Sequence, residues 1–346
     1  MNWSKFTRDN IKLFKKYKLL NESKLVKLFR TERDTIKKFI KTYPKLSIKI
    51  EIIKKNKVND LDKKLCNFAD TPWVDTKLVI NEMNNLDISY LYQWKSILDS
   101  NDKPSLNYIY VKSNKLVQKS MNKKIKLIVY IIEYLKHKNQ HTNIPVNMYL
   151  VLTNLKKKFP KNNQSMGIKN ANTAYTDFSK NIIYIWRKEE LEKVIFHEIS
   201  HYLDMDKRDH HVEHIANING PHSYYEAITD FYGIMYHLIF VSFLSKISLK
   251  LLLELELGFI KNQAMYLNEY LKLGNWKNSI DNIIKQTTPA FSYYIIKFMI
   301  FEYLIYNDLI KNHQYNNLIT NITNIGFVQY PYIKIKSSRM TMIQLE

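Results

Sequence analysis

Only six glycines and eight prolines are spread over 346 residues. With so few breakers, long stretches have nothing to interrupt them, and helices should dominate. An apolar fraction of 45% with 13% aromatic residues is globular composition, so wholesale disorder is excluded. The length suits two or three folding units with a real core. A lone thiol, Cys66, excludes a disulfide framework and a cysteine-based zinc site. No stretch approaches about 18 uncharged apolar residues. The longest, Phe231 to Leu244, contains His237 and reads as a buried helix. Met1–Lys5 lacks the apolar run of a signal peptide. The expectation is a soluble intracellular chain, not secreted and without a transmembrane segment.

The chain divides into four segments. Residues 1–65 carry 20 Lys+Arg against seven Asp+Glu, most of the net charge of +21, and their apolar spacing predicts short amphipathic helices with Lys faces. Such a basic region could take an acidic or nucleic-acid partner by counterion release. Lys, Asn, Ile and Tyr are inflated along the whole chain, however, as A/T-rich codons produce, and no nucleic-acid-binding motif accompanies the charge. Residues 66–120 read as helical or irregular, with no chemistry assigned. In 121–246 a helix spans Ile125–Lys136, strands fall at Val146–Leu152 and Asn181–Trp186, and a helix starts at Glu189 with Glu189 and Glu190 in its first turn. Further helices are expected at Tyr224–Phe243, Ser248–Leu273 and Pro289–Lys311; residues 247–346 form a C-terminal helical region ending in a loose tail around Pro331. The predicted fold is α+β and predominantly α-helical. A twisted sheet of three or four strands, over about 146–186, backs the helix that follows.

That helix carries His197-Glu198-Ile199-Ser200-His201, an H-E-x-x-H pattern. Four residues of helix bring both imidazoles to one face, where they can reach one Zn2+. Glu198, beside His197, is placed to take a proton from a zinc-activated water. The apolar stripe of Leu191, Val194, Ile195, Ile199, Tyr202 and Leu203 should bury one side of the helix and leave the histidines on a cleft.

A third ligand is required. A metzincin pattern would need His where Lys207 stands, and Gly where Asp204 stands. A glutamate ligand on a second helix fits better: Glu226 lies 25 residues after His201 in Tyr225-Glu226-Ala227-Ile228-Thr229-Asp230. Asp230, one turn on, could accept the second ring N–H of a ligating His. Asp204 and Asp206 are weaker candidates. His210-His211-Val212-Glu213-His214 formally matches the inverted H-x-x-E-H pattern but lacks a buried helical flank. Seven of the ten histidines fall between 197 and 237, as one functional region would place them; His222 and His237 also read as ordinary surface and helix residues.

The run NIIYIWRKEELEKVIFHEISHYLDMD, followed by YYEAITDFYG, resembles the zincin peptidases of the glutamate-ligand class. It is most similar to a family of zinc metallopeptidases encoded by large nucleocytoplasmic DNA viruses. The shared pattern is Ile183-Tyr184-Ile185, Arg187-Lys188-Glu189-Glu190, Tyr225 through Asp230, and the later Ser292-Tyr293-Tyr294; the similarity covers roughly residues 125–300. It implies a zincin-like catalytic domain hydrolysing peptide bonds of a peptide or protein substrate, and a cytoplasmic or virion-associated setting. It also implies a tyrosine on a later helix that stabilises the oxyanion, here Tyr293, with His222, Tyr224 and Tyr225 as alternatives. The strand before the metal helix, NIIYIW, would pair with extended substrate. Two other readings stand beside this one: an inactive virion structural or binding protein keeping the metal helix as a fold element, and a nucleic-acid-associated protein acting through residues 1–65.

Overall fold

The computed structural model describes residues 3–19, 23–44, 46–53, 74–83, 85–86, 88–96, 105–113, 119–161, 164–206, 223–272, 286–308, 331–335 and 337–345. They belong to two compact units. The first comprises Met1–Arg33, Lys157–Ala171 and Asp206–Glu346, and the second Asp34–Lys156 and Asn172–Met205. Helices dominate, with nine α-helices and one π-helical segment among the described residues.

The second unit is built on one six-stranded mixed sheet of order β1-β2-β3-β4-β6-β5. The strands are β1 Ile48–Ile53, β2 Ile88–Lys95, β3 Leu106–Ser113, β4 Asn147–Thr153, β5 Ala174–Asp177 and β6 Ile182–Arg187. The first three form an antiparallel meander, β3, β4 and β6 run parallel, and β5 closes the far edge antiparallel to β6. The expected strands near 146–152 and 181–186 are there as β4 and β6. The sheet is nevertheless larger than the three or four strands expected, because β1, β2 and β3 come from stretches read as helical or irregular. β1 alternates isoleucine with charge over Ile48–Ile52, whereas the period of two in β2 is carried by aromatic rather than aliphatic residues. In β2, Tyr90, Tyr92 and Trp94 are buried while Leu91 and Gln93 are half-buried and Lys95 is exposed.

The face holding Tyr92 and Trp94 is covered by α4, Lys119–Lys138, through Tyr92 Oη to Asn122 Oδ1 at 2.8 Å and Trp94 Nε1 to Glu133 Oε1 at 3.0 Å. On the opposite face Tyr110, Tyr149, Tyr184 and Tyr175 stand in one register across four strands, with neighbouring rings 5.5–6.1 Å apart. Val79 and Met83 of α3, Thr76–Met83, pack over this row with Trp186. One more helix, α6, Leu191–Tyr202, packs on β5 and β6.

The first unit is helical. It holds α1, Lys5–Phe14, the first part of α2, Lys24–Thr42, and the four-residue α5, Ile168–Ala171. The larger elements are α7, Tyr224–Ser245, α8, Leu249–Tyr270, a π-helical Ser292–Ile296 and α9, Lys297–Tyr306. α7 packs against α8, α9 and the π segment. By length and composition alone it could cross a membrane, with mean hydropathy 1.5, but 83% of that window is buried within the protein. It is a core helix, as the all-round apolar run of 231–244 predicts. α1 lies close on α8 at Gly258, where a Cβ would stand 3.1 Å from Cβ of Phe14. Phe6 and Phe14 both meet the ring of Phe259 edge-on there.

The expected loose tail is a correction. Met342 and Ile343 are fully buried, Leu345 bridges to Trp3, and Glu256 accepts the amides of Met342 and Ile343. Burial pushes the Glu256 carboxyl up to about 7 against the opposing pull of Thr341, the two amides and Lys297.

Candidate metal centre

The H-E-x-x-H helix is launched from the sheet by a tight turn. β6 is buried from Ile183 to Arg187, Lys188 N donates to Thr153 O at 3.1 Å, and Glu190 adopts a left-handed backbone with φ 61°. A non-glycine residue there costs on the order of 1 kcal/mol or more, so the surrounding packing must hold it. Glu189 and Glu190 therefore precede the helix rather than occupy its first turn. The first-turn acid is Glu192, which pairs with Lys124 of α4 at 2.9 Å. At the other end Tyr202 Oη donates to Pro145 O at 2.5 Å.

All twelve residues of α6 are buried, where the sequence led us to expect one open side. His197 is 7% exposed, Glu198 6% and His201 8%. The two imidazoles sit edge to face with centroids 4.9 Å apart, and each offers a nitrogen within 4.8 Å of one on the other. Glu198 Oε2 accepts the hydroxyl of Thr176, on β5, at 2.6 Å. Nothing in the sequence singles out Thr176: a four-residue strand is too short to display an alternation.

In the first unit, Glu226 lies in the first turn of α7, where a carboxylate also favours the helix dipole. Tyr293 Oη donates to Glu226 Oε2 at 3.1 Å. Ser223 N, at the start of α7, donates to Ser292 Oγ at 3.0 Å. Asp230 is fully buried and its Oδ2 takes the Lys297 ammonium at 2.7 Å. Sequence reasoning missed Lys297, although a lone lysine inside FSYYIIKFMIF is a signal: a charge in an apolar helix needs a buried counter-ion. Tyr224 is buried, which pushes its phenol well above the ordinary value and keeps it a proton donor.

The remaining candidates part company. Asp206 is buried and accepts Thr229 Oγ1 at 3.0 Å, and Asp204 sits in the turn after α6 with φ 48°. His237 is buried on α7, its Nε2 2.6 Å from Ile343 O, a role in the fold. The His210–His214 cluster and His222 lie outside the described residues. The expectation that NIIYIW pairs with substrate does not survive. That strand is β6, with β4 on one side and β5 on the other, so both its edges are taken. The edge strand on this side of the sheet is β5, with β1 at the other edge.

His197, His201 and Glu226 make a His-His-Glu group that could hold a metal ion; the two histidines are buried and the glutamate half-buried. The donor set fits: two imidazoles and one carboxylate are three protein ligands of the kind that leave a fourth position for a reactant. None of the family models, curated proteins or solved structures compared with the chain matches it.

Thr176→Val offers a graded test of the Glu198 arrangement. The substitution removes a hydrogen bond to a carboxylate, a contact worth about 1.5–3 kcal/mol. We expect amide exchange in α6 and β5 to rise roughly 10- to 100-fold, with Thr176→Ser near wild type. A Thr176→Val protein that exchanges as slowly as wild type would show that this bond does not hold Glu198 in place.

Proposed function

We propose that this protein is a zinc-dependent metallopeptidase of the glutamate-ligand zincin class. What supports the reading is one observation: the H-E-x-x-H helix contributes two buried histidines to a His-His-Glu group with the donor chemistry of a catalytic zinc site. The resemblance of 125–300 to the viral zinc peptidases points the same way.

His197, His201 and Glu226 would hold the ion. Zinc, when bound, supplies a Lewis acid that polarises a carbonyl and brings the pKa of a water toward about 7. Glu198 takes the proton of the water that attacks the scissile carbonyl, then delivers it to the departing amine. Thr176 holds one oxygen of that carboxylate and so fixes its orientation. Tyr293, a phenol beside Glu226, is the proposed donor to the developing oxyanion. The outer edge of β5 is the surface on which an extended peptide would add as a further strand.

Elemental analysis of wild type and Glu226→Ala, purified side by side, tests the proposal. We expect about one zinc per chain in the wild type and weakened retention on dialysis in the variant. A wild type prepared with zinc in excess that nevertheless carries none would make HEISH a structural helix and overturn the reading.

A further inference from the structure

Residues 337–345, SSRMTMIQL, show no apolar period, yet Ser338, Arg339, Thr341, Met342, Ile343 and Leu345 are all buried. Side chains of the first unit hold this extended segment by its backbone. Gln263 Nε2 donates to the carbonyls of Ser337 at 2.9 Å and Arg339 at 3.0 Å. Thr7 Oγ1 donates to Met342 O at 2.8 Å, and the Glu256 carboxylate takes the amides of Met342 and Ile343 at 3.2 Å. Contacts of this kind depend on where the main chain runs, which is why the sequence shows no pattern there.

Lys297 is where this segment meets the metal-ligand machinery. Its ammonium donates to Met340 O at 3.1 Å and to Asp230 Oδ2 at 2.7 Å. Asp230 stands one turn beyond Glu226 on α7, and Lys297 four residues beyond Tyr293. Three successive bonds therefore tie the two elements together: Ser223 N to Ser292 Oγ, Tyr293 Oη to Glu226, and Lys297 to Asp230. The neighbouring Tyr294 adds a second tie, its hydroxyl donating to Ser338 O at 2.5 Å. Residues Ser292–Ile296 are π-helical, a rare geometry that concentrates at functional sites.

We propose that residues 337–345 are a conformational strap for the metal-ligand site. Seated, the strap holds Lys297 on Asp230, fixes α7 against the Tyr293–Lys297 segment, and so keeps Glu226 and Tyr293 paired, with Lys297 as the positioning residue. The strap is thereby a point at which the site can be switched, since whatever unseats it releases that alignment. The inference rests on Glu226 being a ligand, as proposed above, only in its consequence for metal binding.

Amide hydrogen exchange on the metal-free 346-residue chain tests the strap without zinc. Tyr294→Phe cuts one tie and leaves Lys297, Glu226 and Tyr293 in place; Lys297→Met cuts the other. Both are expected to raise exchange at least tenfold in 337–345 and, along with it, in 224–231, while α6 and β6 stay as in wild type. Lys297→Arg should recover most of the protection that Lys297→Met loses. In the same Tyr294→Phe protein, zinc affinity should fall about tenfold, the usual scale for outer contacts to a metal ligand. Faster exchange in the strap with 224–231 unchanged overturns the proposal, as does a strap that stays closed in both variants. A chain that binds no zinc defeats the site reading instead, and the exchange result still decides the strap.

Discussion

Glu198→Gln is expected to keep its metal and lose turnover by about 10²–10⁴-fold, the usual contribution of a positioned general base. The substitution nearly preserves volume in a helix buried on all sides, so packing around His197 and His201 should survive. The amide oxygen of Gln can still accept the Thr176 hydroxyl that now binds Oε2. What the amide cannot do is accept the proton of an attacking water or return it to an amine. Elemental analysis and peptide turnover on one preparation read the two properties separately. Zinc retained with turnover lost supports the mechanism; zinc retained with turnover unchanged removes Glu198 from it. Pairing the variant with Thr176→Val sharpens the result. If Thr176 acts only through Glu198, adding Thr176→Val to Glu198→Gln should cost little more, because residues that act as a unit are strongly non-additive.

Where the sequence was legible, a pattern repeated often enough to be seen. α4, α7 and α8 show long apolar runs between few breakers, and their extents follow the reading to within a few residues or one or two turns. The four-residue spacing of His197 and His201 implies one helix face whatever the context. Three kinds of feature stayed hidden. In β2 the alternation is carried by tyrosine and tryptophan against serine, leucine, glutamine and lysine, which scores as largely polar. β5 is four residues long, so Thr176 leaves no periodic trace. The 337–345 segment is held by its backbone and has no side-chain pattern to betray its burial. One missed pair was within reach. Asp230 and Lys297 each sit in a strongly apolar stretch of helix, and neither could be buried without a partner of opposite sign.

The same logic, applied to the second unit, makes Lys136→Met the substitution with the largest expected effect on stability. Lys136 lies in the last turn of α4 and is fully buried, its ammonium 2.5 Å from Ser96 Oγ, 3.2 Å from Asn107 Oδ1 and 3.6 Å from Glu133 Oε1. Glu133 in turn accepts Trp94 Nε1 at 3.0 Å, and Asn107 Oδ1 also takes Val146 N at 2.9 Å. Asn107 Nδ2 reaches Trp94 O and Ser105 O. One network therefore joins α4 to β2, β3 and the start of β4. Methionine matches the lysine stem but withdraws the positive charge from a carboxylate that stays buried. Removing one partner of a buried pair costs about 3–5 kcal/mol, mostly from the charge left behind. Because the chain holds two units, one global unfolding energy is not well defined, and exchange of the β2 and β3 amides is the appropriate measure. Those amides should exchange about 10²- to 10³-fold faster in Lys136→Met. Adding Glu133→Gln should then restore a large share of the protection, since the neutral pair leaves no stranded charge. If the double variant is as weak as the single one, the loss comes from packing around the lysine stem, and the network is shape rather than electrostatics.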